Sequence, residues 1–477
     1  MEYDVIIIGG GVTGAAIARE LSRYSLKTAL LEKEEELAFG VSKSNSGIVH
    51  PGTQNPADSL KGKLCVRGNF LMRKIAKELG VDFKEVGELV VIFDMADMPA
   101  LVRMKEEAEK LGVPALQIVD RSWLDRNEPN MGPEVVAALY APTAGIVSPY
   151  RLVYDMSENA ARNGVEIHTS SRVTEIKRTD GICRFEVHTA ARDVYKTRFV
   201  VNAAGLYADE ISAMVGLDYF KITPRKGEEF LLDKKRENIT NHLVFPLPTA
   251  TSKGTLVIKT SDGNPMIGPT AHDVDSRDDL STSEEGLKTV VSFVKKMVPS
   301  INENDIIAYF SGLRPVSGKD FIIKHEDSVP GFVNVAGIQS PGLTSAPAIG
   351  EYVTELLSRN GLVLTEKKDF HRYREATTHL FAVPLAKTKG LIEKDPAYGD
   401  IVCRCEMVSA KEIREAIRRG ARTLDGIKFR TRAQAGRCHG GFCTSRIIKI
   451  MHEELGLPFE AVSKRGRGSE LIKGRTK

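Results

Sequence analysis

The glycines of 9-GGGVTG-14 constrain this chain more than any other stretch. An apolar run, Val5 to Ile8, leads into them, and Gly9, Gly11 and Gly14 have the spacing G-x-G-x-x-G. The run reads as a buried parallel strand. A helix is expected next, with Ala15, Ala18 and Leu21 turned to the sheet, then a second strand from Thr28 to Leu31 that ends at Glu32. This order is the one that holds a dinucleotide. Gly9 permits the tight turn, Gly11 lets backbone approach a pyrophosphate, and Gly14 lets helix and strand pack closely. The helix N-terminus faces the anion, and Glu32 would accept from a ribose hydroxyl. The motif leaves NAD and FAD open. No second G-x-G-x-x-G follows, whereas an enzyme reducing a flavin with NAD(P)H would need two such sites.

At 477 residues the chain has material for about three domains, and its 42% hydrophobic and 27% charged content is that of a globular protein. A net charge of +4 is small for this length and does not argue for nucleic acid or a membrane surface. Basic residues cluster in 428-KFRTRAQAGR-437 and in 464-KRGRGSELIKGRTK-477, the latter expected to be a solvated tail. The acidic start is not that of a secretory signal, so a cytoplasmic protein is expected. In a reducing compartment the cluster Cys403, Cys405, Cys438 and Cys443 is expected to hold metal rather than disulfides. Cys65 and Cys183 are expected to be buried packing residues.

The segment 200-VVNAAGLYADEI-211, a buried strand running into a small-residue turn, resembles the second flavin-contacting segment of the D-amino-acid-oxidase-like flavoproteins. That group includes glycerol-3-phosphate dehydrogenases, L-2-hydroxyglutarate oxidases and several amine oxidases. The loop 40-GVSKSNSGIVHPG-52 and the stretch 336-AGIQSPGLTSAPAIGEYVTELL-357 match the family in the same order, over roughly residues 1–365. The resemblance implies FAD, and an α/β fold in which a Rossmann-like domain carries a mixed-sheet substrate domain. It implies flavin contacts at Lys33, Ser42, Ser46, Gly47, Val173, Ala204 and Gly205, with Gly337, Gly342, Leu343 and Thr344 near the pyrimidine ring. A helix from about Ser345 would put a positive end toward the reduced flavin. The resemblance also places His50 beside the reacting carbon, where an imidazole suits removal of a hydroxyl proton.

Expected boundaries are 1–60, 146–215 and 330–365 for the FAD domain, and 61–145 and 216–329 for the substrate domain. A linker is expected over 366–398, lying on the FAD domain, before a small helical domain at 399–477. In 311-SGLRPVSGKDFII-323 a Gly-Leu-Arg-Pro turn puts Arg314 on a rigid corner, suited to bidentate grip of a carboxylate or phosphate. Arg225, Lys226 and Lys259 are further candidate substrate ligands, the first two read as a pair.

Cys403-x-Cys405 and Cys438-x4-Cys443 suit either zinc or an iron–sulfur cluster, though zinc ribbons rarely use a one-residue gap. The pattern resembles the bacterioferritin-associated-ferredoxin-like [2Fe-2S] domain, which also ends the large subunit of the anaerobic glycerol-3-phosphate dehydrogenases. A capping box at Ser409 and Glu412 should open one helix, and Ile447, Ile448, Met451 and Leu455 mark another. Arg404, Arg430, Arg432 and Arg437 are expected to offset the thiolate charge. The resemblance implies a dehydrogenase of a small anionic hydroxy compound, with sn-glycerol 3-phosphate the first expectation. Electrons would pass through the cluster to a partner redox subunit or soluble carrier, through which the chain would associate peripherally with a membrane. L-2-hydroxyglutarate, then an amino acid or amine, are the alternatives, and a non-catalytic electron-transfer subunit is the alternative of another class.

Overall fold

The computed structural model describes residues 2–248 and 254–474; the last three residues of the expected basic tail lie outside them. Two large sheets and a small helical unit organise the chain. In the first sheet Glu2–Ile8 runs parallel to Thr28–Leu31 on one side and to Val194–Asn202 on the other. Phe332–Ala336 extends it in parallel beyond Val194–Asn202, and Glu166–His168 beyond Thr28–Leu31. Val5, Ile6 and Ile7 are fully buried, because helices cover one face and an antiparallel extension, Val173–Arg178 with Phe185–Thr189, adds to the sheet.

The helix Val12–Leu21 packs on Gly342–Arg359 so closely that a Cβ at Gly350 would lie 2.9 Å from the Ala16 carbonyl oxygen. The latter helix begins at Gly342, earlier than the expected Ser345. Leu60–Leu79, grouped with the substrate part in the sequence, buries Leu64, Met72 and Leu79 in the same core. It does so because Gly68 lets it close on the Thr344 carbonyl, 2.0 Å from where a Cβ would stand. The strand Ile322–His325 likewise joins the first sheet.

The second sheet is mixed. Thr223–Leu232 and Ile306–Val316 form a long antiparallel ribbon at one end, and Glu88–Ile92 pairs in parallel with Leu243–Pro246 further along. Its core holds Phe230, Val244, Val257, Ile267 and the inner face of the helix Glu284–Met297. The connection after residue 360 is tied to the first unit as expected: Arg374 pairs with Asp155 at 2.9 Å and Glu158 at 2.7 Å. It also contains the exposed helix Leu385–Lys394.

The C-terminal unit has its own core of Ile413, Ile417, Leu424, Ile427, Ile447 and Met451. Its helices are Ala410–Arg418, opened by the expected capping box, then Leu424–Thr431 and Thr444–Leu455. The middle helix had no sequence expectation. Its N-terminus receives the buried Glu36 carboxylate, which accepts from the Arg422 and Thr423 amides at 2.7 and 3.2 Å and from Arg430 at 2.8 Å. Among the described residues, no helix is long and apolar enough to cross a membrane.

Candidate active site and cluster site

A cavity of about 1560 Å³ opens between the two large sheets. Its walls include Gly9, Gly11, Glu32, Lys33, Ser42, Ser46, Val173, Ala204, Gly205, Gly342 and Leu343, so most of the expected flavin contacts share one space. The other four expected residues act from behind the wall. A Cβ on Gly14 would stand 1.9 Å from the Gly9 carbonyl oxygen, and one on Gly47 2.2 Å from that of Val147. The Thr344 hydroxyl accepts from the His50 amide at 2.9 Å and meets the Ile48 carbonyl at 3.2 Å. Gly337 holds a left-handed turn at φ +67°.

The residues fit FAD. Gly9, at φ +111°, lets the first turn pass within 2.4 Å of the Ala203 carbonyl oxygen, measured from a built Cβ, so any side chain there is excluded. No side chain of its own caps the helix at Gly11; Ser42 Oγ accepts from the Val12 amide at 2.9 Å from across the cavity wall. Glu32 accepts from the Gly10 and Glu34 amides at 2.7 and 2.9 Å, and burial raises its pKa above the ordinary carboxylate range. The helix Gly342–Arg359 also starts with no side-chain cap at the cavity wall.

At the substrate end, Arg225, Gly227 and Glu229 face the cavity from one strand, and Ser311, Leu313 and Arg314 line it from the next. The alternation of a strand explains the outcome for the presumed pair. Lys226 points to the opposite face, where its ammonium meets Asp279 at 2.7 Å and Ser281 at 3.0 Å. Lys259 is also turned away, donating to the Thr240 carbonyl at 2.8 Å. Neither lysine lines the cavity. Arg225 does, and pairs with Asp273 at 2.6 Å.

Arg314 is half-buried and donates to the Thr270 carbonyl at 3.5 Å. Burial lowers its pKa. Burial raises that of nearby Glu229 to about 7, against the pull of Arg314, and Glu229 Oε2 is buried without a hydrogen-bond partner. Gln54, Asn55 and Ser311 also line the cavity with buried polar atoms that lack partners. Sequence reasoning passed over all four, since a lone polar residue gives no sign of which face it takes. Only the period-two pattern 225, 227, 229 could have brought out Glu229.

His50 lies in the cavity wall with Nε2 3.3 Å from Ser340 Oγ. Its Nδ1 is 3.7 Å from Oε2 of Glu88, a fully buried carboxylate that also accepts from Thr53 at 2.6 Å. Asn69 fixes the His50 carbonyl at 3.0 Å.

The four clustered cysteines stand as two pairs. Cys405 and Cys438 have sulfurs 3.8 Å apart, close to the spacing of two thiolates on one tetrahedral metal with bonds of about 2.3 Å. Cys403 and Cys443 pair through their side chains, and that contact lowers the Cys403 pKa to about 6. The Phe442, Gly440 and Gly441 amides lower that of Cys438. Among the described residues no three His, Cys, Asp or Glu side chains converge on one metal position. Two pairs with amide donors at the sulfurs fit a two-iron cluster. Three of the arginines expected to balance it do other work. Arg430 meets Glu36 and lies 3.7 Å over the Tyr154 ring, Arg432 reaches Asp262 at 3.5 Å and Glu406 at 3.3 Å, and Arg437 pairs with Asp233. They bind the unit to the body; Arg404 is exposed. Cys65 is buried as expected, whereas Cys183 is only partly so, in a turn.

Comparison with known proteins gives the same two-part division. The FAD dependent oxidoreductase family (DAO) matches residues 4–356, and the BFD-like [2Fe-2S] binding domain matches 401–453. A glycerol 3-phosphate dehydrogenase of Caloramator mitchellensis is 41% identical, over 100% of this chain and 99% of that protein. A glycerol 3-phosphate oxidase of Mycoplasma genitalium is 34% identical, over 74% of this chain and 94% of its own. The solved structure of dithionite-reduced L-α-glycerophosphate oxidase from Mycoplasma pneumoniae with FAD bound aligns with a TM-score of 0.75 at 31% identity, over 80% of this chain and 100% of that one. Flavin cradle, paired thiols and full-length likeness agree that the chain belongs to the DAO family of FAD-dependent oxidoreductases, of the glycerol-3-phosphate dehydrogenase type, with a C-terminal BFD-like [2Fe-2S] binding domain.

Proposed function

We propose that the chain oxidises the secondary alcohol of sn-glycerol 3-phosphate to the ketone and sends the electrons out through its C-terminal domain to a separate redox protein. The observation that carries the reading is Arg314: a half-buried guanidinium in the wall of the flavin cavity, a wall that also includes Gln54, Asn55, Glu229 and Ser311, whose side chains carry unpartnered polar atoms. An anionic group with adjacent hydroxyls satisfies that set. A purely apolar or cationic substrate leaves it unsatisfied.

When bound, FAD supplies the hydride acceptor and the [2Fe-2S] cluster a one-electron carrier. The remaining work falls to the chain. Arg314 holds the phosphate, with Arg225 adding positive charge from the facing strand position. His50 Nε2 receives the hydroxyl proton as the carbon is oxidised. Glu88, behind the ring, orients the imidazole and balances the charge it takes up. Ser340 steadies the side of the ring that faces the cavity. The two sheets enclose the reacting carbon and keep water from the exchange.

The test is an anaerobic visible spectrum of the purified chain before and after addition of sn-glycerol 3-phosphate, with L-2-hydroxyglutarate in a parallel cuvette. Bleaching of the flavin band by the phosphate alone is expected. Bleaching by L-2-hydroxyglutarate alone would overturn the substrate reading. A rapid turnover with oxygen and no other acceptor would overturn the electron-exit reading.

A further inference from the structure

The segment expected to be a solvated tail instead folds back onto the FAD unit. The Leu424 and Asp425 amides donate to the Ser463 and Lys464 carbonyls at 3.1 and 2.9 Å, and the Lys464 amide to Ser469 at 2.9 Å, which closes a turn. Glu35 of the first unit accepts from the Arg467 amide at 3.0 Å. A side chain at Gly466 would meet the same carboxylate, with a Cβ 3.0 Å from its carbon. The turn is therefore held from both units, and it carries Arg465 into the wall of the flavin cavity.

Arg465 arrives beside Lys43, which also lines the cavity. The two cations share the ring of Phe39, Lys43 Nζ at 5.0 Å and Arg465 Cζ at 5.6 Å from its centre. Among the described residues neither has an ion-pair partner within 4 Å, and the Arg465 guanidinium has only a 3.5 Å contact to the Phe39 carbonyl. Burial and the Arg465 charge together push the Lys43 pKa down to about 8. Asp425 and Glu34 oppose that effect, and Lys428 adds to it. Two like charges brought together across a domain boundary repel, and an anion bound between them would relieve that repulsion.

Their position says which anion. Lys43 follows Ser42, whose hydroxyl accepts from the Val12 amide at the start of the dinucleotide helix. Ala38, before Phe39, donates to the Gly10 carbonyl at 3.0 Å, so this loop is laced to the glycine turn. We infer that Arg465 of the C-terminal unit, with Lys43, binds the pyrophosphate of FAD, so that the iron–sulfur unit completes the flavin pocket. The inference rests on the flavin assignment and is independent of the substrate reading.

The test uses the full-length chain stripped of flavin, titrated with FAD and separately with riboflavin, which lacks the pyrophosphate. Flavin fluorescence quenching reads binding. Arg465→Met is expected to weaken FAD about tenfold or more, as loss of a charge-assisted contact does, and to leave riboflavin unchanged. Arg465→Lys should recover part of the loss. Cluster absorbance in the same samples reports whether the C-terminal unit is folded. If FAD affinity is unchanged, or riboflavin weakens in step with FAD, the assignment falls. If Arg465→Met also loses its cluster, the Arg465→Lys titration decides: a retained cluster with wild-type FAD affinity against riboflavin, or no cluster with a loss shared by both ligands, overturns it.

Discussion

Gly227 and Arg314 occupy one volume: a Cβ built on Gly227 would lie 2.5 Å from an Arg314 guanidinium nitrogen and 3.0 Å from its Cζ. The strand Thr223–Leu232 therefore forms a bare floor on which the guanidinium lies, and Arg314 is set by the absence of a side chain as much as by any contact. Gly227→Ala should displace it. The expected result is a KM for sn-glycerol 3-phosphate raised about tenfold, with the flavin spectrum unaltered. An unchanged KM would separate Arg314 from substrate binding.

Glu229 should make substrate affinity depend on pH. Its carboxyl, ordinarily near 4.5, is raised to about 7 by burial. Below that value it is neutral, and the Arg314 charge is fully available to an anion. Above it, the carboxylate competes for Arg314. KM is expected to rise from pH 6 to pH 8, and Glu229→Gln should flatten the profile. Stability follows with its own sign. Between about 4.5 and 7 the folded chain keeps a proton that the unfolded chain releases, so this group's contribution falls as pH rises through that window. The variant should lose less Tm over the same interval.

Glu36 should prove a fastening between the two ends of the chain. Its removal by Glu36→Ala leaves buried Arg430 without its carboxylate and the Arg422 and Thr423 amides without an acceptor. A loss of about 3 kcal/mol or more is expected for breaking such a pair. Limited proteolysis should then cut in the connection after residue 366 and release the C-terminal unit, where the parent chain resists.

The cysteine pairs predict a separation of the two chromophores. Cys405→Ser should remove or destabilise the cluster while leaving bound flavin and its reduction by substrate in place. Transfer of electrons to any external one-electron acceptor should fall sharply. Metal analysis of the parent chain should find iron with an equal amount of acid-labile sulfide. Finding stoichiometric zinc instead would exclude the cluster.

Much of this was legible in the chain because some residues have only one use where they stand. Glycines at 9, 11 and 14 after a buried strand leave backbone no choice but a close approach, and four thiols in two spaced pairs have few roles besides metal. Charged residues were less legible. Arg430, Arg432 and Arg437 lie near the cysteines in sequence, yet their partners Glu36, Asp262 and Asp233 come from far up the chain. A cation declares nothing of where its anion will be. Lys226 and Lys259 failed for a local reason: one side chain took the wrong face of a strand, the other found free carbonyls closer than the cavity. Gln54 and Asn55 stood next to the recognised loop and still gave no signal, since amides are equally at home in turns.

The cavity wall runs in sequence from Ile8 to Arg465. Contacts that distant form late in folding, after most of the chain's loop-closure entropy has been lost. A chain still being synthesised has the residues of the glycine turn early, and gains the share of the wall that Arg465 supplies only once the C-terminal unit has emerged and docked. If Arg465 grips the cofactor, affinity for flavin rises once the C-terminal unit has docked, so the strength of the hold reports that the two ends of the chain have met.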